Sequence, residues 1–105
     1  LILITALLLT PLVALRAAEN FIVENGEPRA VIVIADKPAR MAKLAAKELQ
    51  SYVAKMSGAT LPIVTERQSD MAAIFVGRSR HTDALGLGTE SLKHGAFRMA
   101  SDKDW

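Results

Sequence analysis

Residues 30–58 read AVIVIADKPARMAKLAAKELQSYVAKMSG, and the two patterns that meet in this stretch decide the fold. Ala30 to Ala35 is an unbroken apolar run whose middle four residues, Val31 to Ile34, are all β-branched. A strand with one wet face alternates apolar and polar side chains, so a run without alternation predicts a strand covered on both faces. At Asp36-Lys37-Pro38 the period changes. Asp36 is expected to accept the first free N–H groups of a helix, and Pro38 is tolerated in its first turn. Ala42, Ala45, Ala46, Leu49, Tyr52, Val53 and Met56 then recur at helical spacing, while Arg40, Lys43, Lys47, Gln50, Ser51 and Lys55 lie off the stripe. Gly58 stands where a left-handed cap residue ends such a helix.

Working outward, Phe21-Ile22-Val23 is a short apolar run closed by Glu24-Asn25-Gly26-Glu27-Pro28. Asn-Gly tolerates positive φ at both positions, so this segment is expected to form an edge hairpin feeding the central strand. Downstream, Leu61-Pro62-Ile63-Val64 predicts a short strand, which Pro62 places at an edge or a strand start. Gln68 to Asp70 form a polar link. Ala72 to Val76 is a second unalternated run, and Ser79 is expected to cap a short helix through Leu85 that Gly86 and Gly88 stop. Phe97-Arg98-Met99-Ala100 has the pattern of a half-buried strand, followed by a Ser101-to-Asp104 turn before Trp105. The expected class is an α/β (α+β) layered domain: a small mixed β-sheet packed by one long amphipathic helix and a short second helix.

Residues 1–18, LILITALLLTPLVALRAA, hold 14 apolar residues, one base (Arg16) and no acid. An apolar run followed by small residues, Ala14, Ala17 and Ala18, and then by polar Glu19-Asn20 is the order of a secretory signal peptide. Arg16 ends the run before the roughly 20 apolar residues that a membrane anchor needs, and Pro11 would break a buried core helix. The chain is therefore expected to be exported, to the periplasm or outside the cell. Residues 1–18 would be the signal peptide and 19–105 the folded domain. The first residue is Leu, with no base ahead of the apolar run, and no strand follows to pair with Phe97 to Ala100. Both features suggest a fragment whose domain is truncated at its C-terminal end.

Thirteen Lys and Arg stand against eleven Asp and Glu, a net charge of +2, so there is no electrostatic footprint for nucleic acid or, once the signal is cleaved, for a membrane surface. No cysteine is present, which excludes a disulfide, a thiolate nucleophile and Cys-ligated zinc. At 105 residues the chain is far below the roughly 250 of a (β/α)₈ barrel.

Gly77-Arg78-Ser79-Arg80-His81, between a buried strand and a helix start, has the residue types to hold an anion, but it lacks both GxxxxGK[ST] and GxGxxG. A strand-to-helix turn with Ser79 as cap and solvated arginines is the preferred interpretation. Gly86-Leu87-Gly88 is a helix stop. His81 and His94 have no metal-ligand spacing and are expected at the surface. Glu24, Glu27, Asp102 and Asp104 are turn-forming acids rather than a glycosidase pair, and no serine has a GxSxG setting. Lys43, Lys47 and Lys55 belong to a solvated helix face, and Trp105 is an isolated aromatic that is expected to pack. No catalytic, cofactor-binding or metal-ligating residue is assigned.

The succession "AVIVIADKPARMAKLAAKELQSYVAKMSGATLPIV", "AAIFVGRSRHTDALGL" and "GAFRMASDKDW" resembles the N-terminal accessory domain that precedes the barrel in family 67 α-glucuronidases, bacterial β-hexosaminidases and related secreted proteins. The resemblance covers about Asn20 to Trp105 and rests on the order and spacing of its segments. It implies a β-hexosaminidase domain 2-like fold. It also implies a non-catalytic role beside a downstream barrel that carries the catalytic carboxylates and meets the oligosaccharide or polysaccharide. The parent protein would be a glycoside hydrolase; no cofactor is implied, and no catalytic residue of the family falls on this chain. A glycan-binding module without catalysis and an independent small-ligand α/β domain using Gly77 to His81 are the alternatives; 5% aromatic content disfavours the former.

Overall fold

The computed structural model describes residues 21–105; the expected signal peptide of residues 1–18 lies outside the described residues. Strand β3 (Ala30–Val33) is central, flanked in parallel by β4 (Ile63–Val64) and β5 (Ala72–Phe75), in the order β4-β3-β5. The hairpin β1 (Val23–Glu24) and β2 (Glu27–Pro28) forms a separate antiparallel pair. Helices α1 (Arg40–Ser57) and α2 (Arg80–Ala84) follow β3 and β5. The layered α/β class is as expected: a small sheet with one main helix.

All four residues of β3 are completely buried, as its lack of alternation requires. Ile32 and Ile34 meet Ala46 and Val53 of α1 together with Leu61, while Val31 and Val33 on the opposite face meet Ala73, Phe75 and Trp105. The neighbouring strands obey the same pleat. Ile63 and Ile74 point to the helix side, Val64 and Phe75 away from it. Each fully buried Val, Ile or Leu contributes about 1.5–3 kcal/mol of hydrophobic stabilisation, so β3 with Leu61 is the energetic centre.

The hairpin turn is built as Asn25-Gly26 dictates, with φ of 53° and 76°, the two positive values of a tight primed turn. The antiparallel partner of Val23–Glu24 is Glu27–Pro28, however, and the AVIVIA run leaves the hairpin to join the parallel sheet. Pro62 sits at the start of edge strand β4, and its carbonyl accepts the Ile32 N–H.

Helix α1 departs from expectation at its start and in its orientation. Its N-cap is Ala39, without a side-chain cap, and Asp36 stands too far upstream to serve. The first turn holds Arg40 and Lys43 and no acid, which opposes the helix dipole; Lys55 in the last turn favours it. The C-cap is as expected: Gly58 adopts φ 77° and donates its N–H to the Ala54 carbonyl. Of the apolar stripe, Ala42, Ala46, Leu49 and Val53 turn inward, whereas Ala45, Tyr52 and Met56 are exposed. The helix is rotated because two polar residues take places on the packed side. Gln50 Nε2 donates to the Leu61 carbonyl at 2.7 Å, and Ser57 Oγ donates to the Val53 carbonyl while accepting the Ala59 N–H.

Phe97 to Ala100 do not form a strand, and Phe97 and Met99 are about four-fifths exposed, at 79% and 83%. A strand exists only through its ladder, and the outer edge of β5 is engaged elsewhere: Ala73 N–H donates to the Asp104 carbonyl at 3.0 Å. Across the expected turn, Asp102 N–H donates to the Trp105 carbonyl.

Gly77, at the end of β5, sets how closely the next loop approaches α1. Its φ is 76°, and a Cβ there would lie 2.7 Å from the Ala42 Cβ. Gly86 has a similar φ of 73° with open space around it. Gly77→Ala should therefore cost about 2 kcal/mol or more and Gly86→Ala only about 1 kcal/mol, measured as shifts in urea midpoint. Equal shifts would show that the approach to Ala42 carries no cost.

Candidate functional site

Because β3, β4 and β5 are parallel, the loops that leave their carboxyl ends gather on one edge of the sheet: residues 34–38, 65–66 and 76–79. From β3 the chain passes to α1 on one face. From β5 it passes to α2, whose His81 stacks on Phe75 of the other face, with ring centroids 5.7 Å apart. Adjacent strands whose connections diverge to opposite faces leave a crevice between them, the usual ligand position in open α/β sheets. A cavity of about 350 Å³ lies there, lined by Ile34, Ala35, Asp36, Lys37, Thr65, Ser79, Arg80 and His81.

The sequence singled out Gly77 to His81, and the structure divides that turn into separate tasks. Ser79 is the N-cap of α2: its Oγ accepts the Thr82 N–H, and its own N–H donates to Thr82 Oγ1 at 2.9 Å. These backbone donors are thereby occupied within the cap, as the preferred interpretation expected. The arginines, in contrast, are paired rather than merely solvated. Arg78 reaches Asp83 at 3.1 Å and Glu90 at 2.7 Å, and Arg80 lies between Asp36, at 3.7 Å, and Glu66.

His81 is half-buried rather than free at the surface. Its Nε2 lies 2.9 Å from the Thr65 carbonyl. A carbonyl only accepts, so Nε2 carries the proton and Nδ1 is the nitrogen left for another partner. His94 is exposed in a loop, at φ 55°. Among the described residues no group of three or more His, Cys, Asp or Glu could hold a metal ion.

Several of the remaining candidates have structural partners, while Glu27, Lys43 and Lys47 are exposed. Glu24 pairs with Arg29, Asp104 pairs with Arg67, and Asp102 accepts the Lys103 N–H. Trp105 packs on Phe75 with ring centroids 6.4 Å apart. The Lys55 ammonium sits 5.2 Å above the Tyr52 ring. Lys37, Thr65 and Glu66 were not singled out in the sequence. Each stands beside a strand end, and only the parallel register brings them to His81 and Arg80.

Two exposed apolar surfaces lie apart from the cleft. Met41, Leu44, Ala45, Tyr52 and Met56 run along the outer side of α1, and Phe97 and Met99 project near β5. A second cavity, of about 490 Å³, separates the Ala96–Ala100 segment from β5. Among the described residues no helix is long and apolar enough to cross a membrane. Comparison of the chain with protein families, curated proteins and solved structures finds no match.

Ser79→Ala should lower stability by about 1 kcal/mol, since the buried cap would lose the acceptor for the Thr82 N–H. Arg78→Gln should change it by less than about 1 kcal/mol, because its pairs are exposed. Denaturant unfolding of both variants checks the order, which a costlier Arg78→Gln would reverse.

Proposed function

We propose that this chain is the non-catalytic α/β accessory domain of an exported carbohydrate-active protein, and that it buttresses a neighbouring catalytic barrel of glycoside-hydrolase type. The residue pattern from Asn20 to Trp105 suggests the family. The observation that carries the buttressing role is the apolar outer side of α1, where Met41 is 68%, Tyr52 57% and Met56 78% exposed. Tyr52 and Met56 belong to the helix's own apolar stripe, with Met41 beside it, and the rotation held by the Gln50–Leu61 bond leaves them facing away from the sheet. Large apolar side chains grouped on one face are a common mark of an interaction surface. In this proposal the barrel supplies the catalytic carboxylates and meets the glycan. The finer identity, a β-hexosaminidase domain 2-like fold, belongs to the same proposal.

The test is to express the complete gene and to assay its product on glucuronoxylan fragments and aryl hexosaminides. Glycosidic hydrolysis is expected; a folded product that turns over no glycoside would overturn the assignment. The buttressing surface has its own readout. Tyr52→Ser with Met56→Ser should shift the stability of this chain alone by less than about 1 kcal/mol, because both residues are exposed. The same pair should lower the melting temperature of the complete protein by several degrees. Equal effects in both contexts would remove the docking role.

A further inference from the structure

The cleft at the carboxyl ends of the strands has a chemistry of its own, independent of the buttressing role. We propose that it binds a small oxyanion, a carboxylate or phosphate group held by Lys37 and Arg80, and that Glu66 competes with the ligand for Arg80.

The lining side chains come from three loops that share only the sheet edge: Asp36 and Lys37 follow β3, Thr65 follows β4, and Arg80 and His81 follow β5, while Glu66, beside Thr65, reaches the site through its pair with Arg80. The volume of about 350 Å³ suits a small molecule, at the lower end of ordinary ligand sites. Lys37 lines it, and among the described residues no carboxylate lies within salt-bridge distance of its ammonium. Arg80 is only partly satisfied. Its contact to Asp36 is 3.7 Å, beyond hydrogen-bond range, so Glu66 is the one carboxylate hydrogen-bonded to a guanidinium that carries five donors. Arg78 makes the contrast: both of its carboxylates lie within 3.1 Å, and it does not line the cleft.

Charge gives the same assignment. With Glu66 on Arg80, the four ionised groups Asp36, Lys37, Glu66 and Arg80 sum to zero. With Glu66 swung into solvent, where it is already mostly exposed, the remaining three sum to one positive charge that a monoanion neutralises. Glu66 is then an internal carboxylate that occupies guanidinium donors a ligand's oxygens would use, and a planar guanidinium can pair with either. His81 distinguishes between ligands. With Nε2–H committed to Thr65, its Nδ1 can accept a hydrogen bond from the P–OH group of a phosphate, a donor that acetate lacks.

The experiment titrates the ¹⁵N-labelled complete chain with sodium phosphate, and separately with sodium acetate, at an ionic strength held constant with sodium chloride. Amide and His81 ring resonances are followed by NMR. Saturable shifts confined to residues 34–37, 65–66 and 79–81 are expected, with phosphate binding tighter than acetate. Lys37→Ala and Arg80→Gln should each weaken phosphate about tenfold, the loss of one charge-assisted contact. Glu66→Gln should strengthen it several-fold, and Arg78→Gln should leave it unchanged. Lys37 and Glu66 are exposed, so their variants decide the matter even if Arg80→Gln perturbs the fold. Non-saturating shifts spread over all basic residues, or a Glu66→Gln affinity equal to that of the unsubstituted chain, would overturn the proposal.

Discussion

The rest of the structure depends on the burial of β3 on both of its faces. Ile32 and Ile34 require a helix over one side, and Val31 and Val33 require Ala73, Phe75 and Trp105 over the other. Its main chain is equally committed, to β4 along one edge and β5 along the other. A strand enclosed in this way cannot slip in register without moving its apolar side chains to the wrong layer. With β3 fixed, the parallel sense of β4 and β5 places three loops on one sheet edge, and the cleft follows.

The same constraint accounts for the surface that α1 leaves open. A two-turn contact, through Ala46 and Val53 with Leu49 beside them, is enough to cover the sheet. Gln50 then clasps the Leu61 carbonyl and settles the helix's rotation. An 18-residue helix whose apolar stripe is wider than the sheet beneath it keeps part of that stripe exposed. The apolar side of α1 is thus a product of the packing geometry, and it is the feature on which the proposed buttressing role rests. The charged loops lie at the strand ends, so the proposed docking surface and the proposed ligand cleft occupy different parts of the fold.

Much of the architecture was legible in local sequence. The unalternated AVIVIA and AAIFV runs, the Asn25-Gly26 turn, the Gly58 cap, the edge position of Pro62 and the Ser79 cap each act within a few residues. What failed depended on partners far along the chain. The stripe from Ala42 to Met56 was visible, but its rotation came from Gln50 meeting Leu61, eleven residues away. Asp36 had the chemistry of a cap, yet the helix starts later, and Asp36 instead faces Arg80 across the cleft. Phe97 to Ala100 had a strand's alternation, but β5 receives Asp104 at its free edge. The turn from Gly77 to His81 carries its own cap signal in Ser79, while Lys37, Thr65 and Glu66 carry no local signal of the cleft. The resemblance to accessory domains of glycoside hydrolases rests on the order of segments alone, and it is the source of the proposed partner.

The claim that the apolar side of α1 is covered by a neighbouring domain has a direct test. A photoreactive amino acid placed at position 52 of the protein expressed from the complete gene would, on irradiation, report what lies against the helix. Cross-links to one defined patch of a neighbouring domain in the same polypeptide are predicted. Reaction with solvent alone, or links only between two copies of this domain, would contradict it.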